Sequence, residues 1–435
     1  MNKQNKNGIT LIALIITIIV MLILLGVTVT GAINGGLIGT SQEAKYKTEI
    51  SQIKEALEEE IINRKALKES TDNITIADLE ISNKLKEKYQ NKLEITNGEI
   101  YYIPYEIENG EETKWLEDMN IMANTIFFEY NGAIITGFSQ KGYEAIAKGT
   151  TKFVMPTKSN NGTEITTIDK DAFNATLEGK EACAKITRFI FPDTLQIINT
   201  NLDTNTGAFT GCIGLKELDL TNTKLTKINN CTFQNCSGLT EVKLPNNLTN
   251  ISYRAFQDCS SLKRVHFPNS LTEIGYQSFK NCSSLEEINL TNTQIKSIGY
   301  EAFSYCVNLK KAEIPETLTS IASFGFWHCE KMESISLGRV TSITPYCFQY
   351  CISLKNIELP DSVVSIRERA FHGCSKLEKV VIPSSVTAIV WEAFTSLTSE
   401  CEVYVPFTEE EGKPEGWHDR WIYGGKIIYA DPVTE

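Results

Sequence analysis

The chain has no C-x-x-C pair among its twelve cysteines and only four histidines, His266, His328, His372 and His418, none spaced from another as metal ligands are. No zinc ligand set is present in that pattern. There is no Walker loop, no G-x-G-x-x-G after a strand, no G-x-S-x-G elbow and no calcium-binding loop, so the usual sequence marks of nucleotide, hydrolase and calcium chemistry are missing. Basic residues are also short, 42 Lys and Arg against 54 Asp and Glu for a net charge of −12. Without a basic stripe to neutralise phosphates, nucleic acid is excluded as a partner. Carboxylates are abundant, but they fall on helix faces and repeat surfaces where solvated charge is the rule. Neither an enzyme nor a cofactor nor a metal is expected.

One pattern of about 23 residues is present instead, and it recurs from about Gly132 to Pro406. Counting from Phe256, the residues Cys259, Leu262, Val265, Phe267, Pro268, Leu271, Ile274 and Phe279 follow at offsets 3, 6, 9, 11, 12, 15, 18 and 23. The anchors Phe209, Phe233, Phe256, Phe279, Phe303, Phe326, Phe348, Phe371 and Phe394 are spaced 24, 23, 23, 24, 23, 22, 23 and 23 apart, and Phe173 lies 36 residues before the first of them. A unit this short can bury its apolar side only against copies of itself. The expected fold is therefore an α/β solenoid of about ten coils of 22–24 residues. Each coil has one period-two strand stopped by proline, and the strands stack into a parallel sheet.

The units Leu354, Ile357, Leu359, Pro360, Ala370, Phe371 and Leu377, Val380, Ile382, Pro383, Ala393, Phe394 resemble the BspA-like branch of leucine-rich repeat proteins. The resemblance covers about 270 residues. It implies a cell-surface protein that binds host, matrix or envelope proteins, and it names no single ligand. Two units depart from it by carrying Leu220-Thr221-Asn222-Thr223 and Leu290-Thr291-Asn292-Thr293 in place of the proline, and Gly338 replaces it in the 22-residue unit.

Ahead of the repeats, residues 9–29 contain no charged side chain, long enough to cross a bilayer as a helix. Gly8 immediately before Ile9-Thr10-Leu11-Ile12 resembles the class III leader of type IV pilins and pseudopilins. That resemblance implies cutting by a prepilin peptidase between Gly8 and Ile9, with pilin subunits as possible partners. An uncleaved signal anchor is the other reading of the same residues. Pilins place a glutamate fifth after the cut, and this chain has Ala13 there. A helix lacking that carboxylate sits more readily in the bilayer and pairs less well in a filament, which leaves a tip subunit or membrane-anchored display. The chain then divides as a leader (1–8), a membrane span (9–30), a glycine-loosened segment and amphipathic helix (31–68), a small α/β head or spacer (69–131), the capped repeats (132–406) and a closing tail (407–435). The amphipathic helix is expected over 41–68, a short helix over 76–89 and a strand over 99–107. The product would be a single-pass protein of the cell membrane with its bulk outside the cell, or part of a pilus or pseudopilus.

Eight cysteines follow an anchoring Phe by three residues, so they are one structural position repeated. They are expected as a buried ladder of small hydrophobes. Neighbouring coils also bring them within bridging distance, so oxidised pairs are the alternative. On the surface, Tyr253, Tyr276 and Tyr300 stand three places before successive anchors, with Trp391 at that place later. Phe324, Trp327, His328, Tyr346 and Tyr350 form a second cluster. Tyr253, Tyr276, Tyr300, Trp327 and Tyr350 are the candidate ligand contacts, since exposed aromatics anchor protein interfaces. Packing along the turn to seal it is the competing role.

Overall fold

The computed structural model describes residues 39–67, 71, 74–96, 99–102, 115–116, 119, 122–123 and 125–430. The expected leader junction at Gly8 and Ile9 and the expected span 9–30 lie outside those residues. The chain separates into two compact units, Met1–Asn124 and Thr125–Glu435.

In the first unit a helix runs from Gly39 to Leu67. Tyr46, Ile50, Ile53 and Leu57, at spacings of 4, 3 and 4, are buried on one face, while Ile62 and Leu67 are exposed. Among the described residues no helix is long and apolar enough to cross a membrane. The second helix is shorter than its sequence pattern suggests, Asn83–Tyr89, because Ser82 adopts an extended conformation and accepts from Leu85 N–H as the N-cap. Ile76 and Leu79 are buried ahead of it in a turn. Strand Leu93–Thr96 pairs antiparallel with Glu99–Tyr102, which pairs parallel with Met122–Ala123. The remainder of the expected strand, 103–107, lies outside the described residues.

The second unit is a parallel-strand solenoid in which ten anchoring phenylalanines, Phe173 to Phe394, bound nine turns. Each regular coil carries two short strands rather than the single one expected. The first is the Leu-x-x-Val piece: Glu241–Lys243 pairs parallel with Glu217–Asp219 and with Arg264–His266, its central Val242 buried and its ends turned outward. The second is the isoleucine at offset 18: Ile228, Ile251, Ile274, Ile298 and Ile321 form a separate ladder. Two residues suffice for this strand because one inward isoleucine is all it must bury.

The turn holding the anchor makes a third set of hydrogen bonds between coils. Arg254, Phe256 and Asp258 donate their N–H groups to the carbonyls of Tyr276, Ser278 and Lys280, while Ala255, Gln257 and Cys259 donate back within the coil to Ser252, Arg254 and Phe256. Alternation of this kind needs left-handed residues. Two places before the anchor Arg254, Gln277, Glu301, Phe324, Tyr346 and Arg369 all have φ between 48° and 60°, and two places after it Asp258, Asn281, Tyr305, His328 and Tyr350 have φ of 58–61°. Left-handed non-glycine backbone costs about 1–2 kcal/mol per residue, and here it lets buried N–H groups on one side of the turn reach the next coil.

Coil length decides where the first ladder is interrupted. Its sheets end before the 24-residue coils, at Glu217–Asp219 and Glu287–Asn289, and after the 22-residue coil, at Ser334–Ile335. In the two long coils the proline turn is replaced by a side-chain turn, in which the Asp219 and Asn289 side chains accept from the backbone and hydroxyl of Thr221 and Thr291. In the short coil one residue is missing between the two strands. Its first strand stays with the coil before, pairing with Lys311–Glu313, and its second, Ser342–Ile343, pairs with the coil after. The spacing of stacked anchors is widest there, 5.8 Å between Phe326 and Phe348.

At the amino end, Phe128–Asn131 folds antiparallel onto Ile134–Phe138, which pairs in parallel with Thr167–Ile168. The stretch expected only as a cap thus already carries solenoid pairing. At the other end, Lys426–Ile428 extends the first ladder on Glu402–Tyr404, Trp417 bridges to Ile389, and Ile422–Tyr423 pairs with Phe394–Thr395.

Candidate functional site

The aromatic side chains on the turn edge form connected rows, built by the repeat itself. Residues three and two places before the anchor supply Tyr276, Tyr300, Phe324 and Tyr346. Tyr276 and Tyr300 lie 6.3 Å apart, Tyr300 meets Phe324 edge-on at 5.5 Å, and Phe324 stacks on Tyr346 at 4.6 Å. The two places after the anchor supply Tyr305, His328 and Tyr350, with centroids 4.8 and 4.6 Å apart, and Tyr350 meets His372 at 5.3 Å. Trp327 joins the rows, 5.2 Å from Phe324 and 4.9 Å from Tyr305. Tyr276 and Tyr300 of the first cluster read from the sequence are therefore one surface with the second, whereas Tyr253 and Trp391 pack against Arg254 and Arg369. Tyr305 and His372 were missed there, although Tyr305 occupies the same offset as His328 and Tyr350.

The five candidate contacts differ in what they offer a partner. Tyr276 is 61% exposed and Tyr300 37%. Trp327 and Tyr350 are half-buried between neighbouring rings, and the Trp327 indole N–H is buried without a hydrogen-bond acceptor. Tyr253 is half-buried under the Arg254 guanidinium, 4.6 Å from the ring. Within the surface the part over Phe324, Trp327 and Tyr350 is a clasp across the short coil, and the part at Tyr276 and Tyr300 is free to touch another molecule.

Polar groups beside the exposed pair are held in a chain. Arg254 Nε donates to Gln277 Oε1 at 2.6 Å, Gln277 Nε2 donates to Glu301 Oε2 at 2.7 Å, and Lys280 pairs with the same carboxylate. Burial pushes the Glu301 carboxyl up, but the hydrogen bonds from Lys280 and Gln277 outweigh it and hold the group below its ordinary value. Burial, then the adjacent Glu301, raises the Tyr300 phenol. Further along, Tyr346 donates to Glu368 at 2.5 Å, which raises its own phenol. Burial, and then Arg369, lowers His372. Among the described residues no group of three or more His, Cys, Asp or Glu is placed to hold a metal ion. All twelve cysteines are free thiols and buried.

Stacked coils with a leucine-paved core, two parallel ladders and an anchoring phenylalanine per turn define a leucine-rich repeat solenoid. The chain belongs to the BspA type leucine rich repeat family, which matches in six copies over residues 166–296, 202–329 and 284–402. Among solved structures it is similar to a leucine-rich cell surface protein of Faecalibacterium prausnitzii, at 19% identity over 71% of this chain and 93% of that one, with a TM-score of 0.40. It is similar to a leucine-rich repeat protein of Bacteroides ovatus, at 20% identity over 66% and 85%, TM-score 0.42. It is also similar to the pneumococcal vaccine antigen PcpA, at 15% identity over 78% and 88%, TM-score 0.40. No curated protein matches the chain.

Proposed function

We propose that this chain is a surface protein whose repeat array binds another protein, one of a host, a matrix or a cell envelope, through the turn edge around Tyr276 and Tyr300. The observation that carries this reading is two neighbouring tyrosines left exposed at the head of an otherwise packed aromatic row. Large amphipathic rings on a rigid scaffold lose little conformational freedom on binding and are favoured interface anchors. The test is adsorption of the full chain to immobilised matrix, host and envelope proteins, with Tyr276→Ser/Tyr300→Ser as the comparison. A partner bound equally by both would place its contact elsewhere.

The uncharged stretch 9–29 supports anchoring in the cell membrane, with the array outside. The Gly8-Ile9 junction favours a second reading, a minor pilin or pseudopilin, and Ala13 suits a tip subunit within it. Intact mass and amino-terminal sequence of protein recovered from cells separate the two. A terminus at Ile9 supports filament entry; a retained Met1 supports a plain signal anchor.

A further inference from the structure

The final sheet of the first ladder runs Asn356–Glu358, Lys379–Val381, Glu402–Tyr404 and Lys426–Ile428, and among the described residues no strand follows the last. Lys426 N–H donates to Cys401 O at 2.7 Å, Ile428 O accepts from Val405 N–H at 3.0 Å, and Ala430 N–H donates to Phe407 O at 3.1 Å. Main-chain groups alternate in direction along a strand, so the N–H and C=O groups of Ile427 and Tyr429 turn away from the array. Burial agrees with this. Val380 and Val403, the inward residues of the two preceding strands, are fully buried, whereas Ile427 at the same place is half-buried and Tyr423 of the same half-coil is 80% exposed. An edge of this kind accepts an extended chain through its main-chain groups.

The rows of the ladder specify the side chains such a chain would carry. One outward row reads Lys379, Glu402 and Lys426 in register, alternating in sign, and the other reads Val381, Tyr404 and Ile428, which is apolar. Lys379 Nζ lies 4.6 Å from the centre of the Tyr404 ring, and Tyr404 Oη donates to Glu402 Oε2 at 2.8 Å, so the inner members of the two rows are engaged with one another. Lys426, at the end of its row, is exposed and makes no ion pair among the described residues. A second copy stacked head to tail would bring the first strand of this ladder, Lys152–Val154, onto the edge and set Lys152 beside Lys426, which like charge disfavours.

We propose that the Lys426–Ile428 edge takes up an extended segment of a partner protein as one more parallel strand. That segment carries an acidic residue beside Lys426, an apolar residue stacked on Ile427 and a second apolar residue beside Ile428. The inference rests on the protein-binding reading above and adds to it a second contact of defined chemistry. A segment with a basic residue beside Lys426 is rejected.

The experiment is fluorescence anisotropy of the full chain with a labelled nonapeptide carrying Glu-Val-Ile between serine and glycine flanks, run beside its Lys-Val-Ile counterpart. The glutamate peptide is expected to bind and the lysine peptide not to. N-methylation of the peptide's Glu and Ile amides, which face the edge in a parallel strand, should abolish binding, whereas N-methylation of its Val amide, which faces away, should leave it. Lys426→Glu should weaken the glutamate peptide about tenfold or more and admit the lysine peptide. Lys224→Glu, at an exposed position elsewhere on the array, should change neither. No binding, equal binding of the two peptides, equal loss on either methylation, no effect of Lys426→Glu, or equal loss in the Lys224 variant would each overturn the proposal. A dimer in sedimentation equilibrium that the glutamate peptide dissociates would give the edge to a second copy and overturn it as well. If the chain still adsorbs to partner proteins while the peptide fails, the edge assignment falls and the protein-binding reading stands; failure of both measurements removes both.

Discussion

The thiol of Cys259 donates to the carbonyl oxygen of Phe233, one coil earlier, at 3.2 Å. The same oxygen accepts the N–H of Cys236 at 3.4 Å, so the anchor's carbonyl is served from its own coil and from the next. The arrangement repeats from Cys212 on Phe173 to Cys374 on Phe348, always at 3.2–3.3 Å. A side chain at this place must be small, apolar and able to donate one hydrogen bond, which describes a protonated cysteine.

Burial raises the ladder thiols, Cys236 to about 12 and the others in the same direction. Unfolded thiols ionise near pH 9, so between that value and about 12 the unfolded chain holds fewer protons than the native one. Stability should be unaffected by these groups below about pH 9 and fall above it, by about 1 kcal/mol per pH unit for each fully buried thiol. Denaturant midpoints across pH 7–10.5 check the slope. At pH 8 the native protein should react with a thiol reagent only on the timescale of unfolding, and all twelve thiols should react once it is denatured.

Phe279 is fully buried between Phe256 and Phe303, 5.4 Å from each and nearly parallel to both. Phe279→Ala should cost about 3–5 kcal/mol. A melting temperature equal to that of the parent protein would contradict its place in the stack.

Gly338 turns the shortened coil at φ +55°, and a Cβ there would meet Pro315 O at 2.6 Å. Gly338→Ala should therefore lose more than the roughly 1–2 kcal/mol of left-handed strain alone. Equilibrium unfolding in urea is the measurement, and a loss under about 0.5 kcal/mol would mean that this turn relaxes freely.

Tyr276→Ser with Tyr300→Ser should leave the fold intact while weakening partner adsorption, because Tyr276 is mostly in solvent and Tyr300 is exposed over more than a third of its surface. Trp327→Ala should instead lower stability by about 3 kcal/mol through its contacts with Phe324 and Tyr305. The reverse pattern, a stable Trp327 variant and an unstable tyrosine pair, would exchange the roles given to the two ends of the aromatic surface.

Evenly spaced Phe, Leu, Ile and Cys suffice to announce a solenoid, because a 23-residue unit has no other way to bury them and each copy repeats the same instruction. The inward residues of both strands, the cysteine ladder and the proline turn follow from offsets alone. What the pattern does not contain is set between coils. The second ladder rests on two-residue strands too short for a period-two signal. The left-handed turn places Arg, Tyr, Phe and His at φ near 60°, where composition favours glycine or asparagine, and only hydrogen bonding to the next coil holds them there. One missing residue in the Phe326 coil was visible as a spacing of 22, but its consequence was not. Whether a strand follows its predecessor or its successor depends on which neighbour can hydrogen-bond it. That competition exists only once the coils are stacked, and it interrupts the first ladder after Ser334–Ile335.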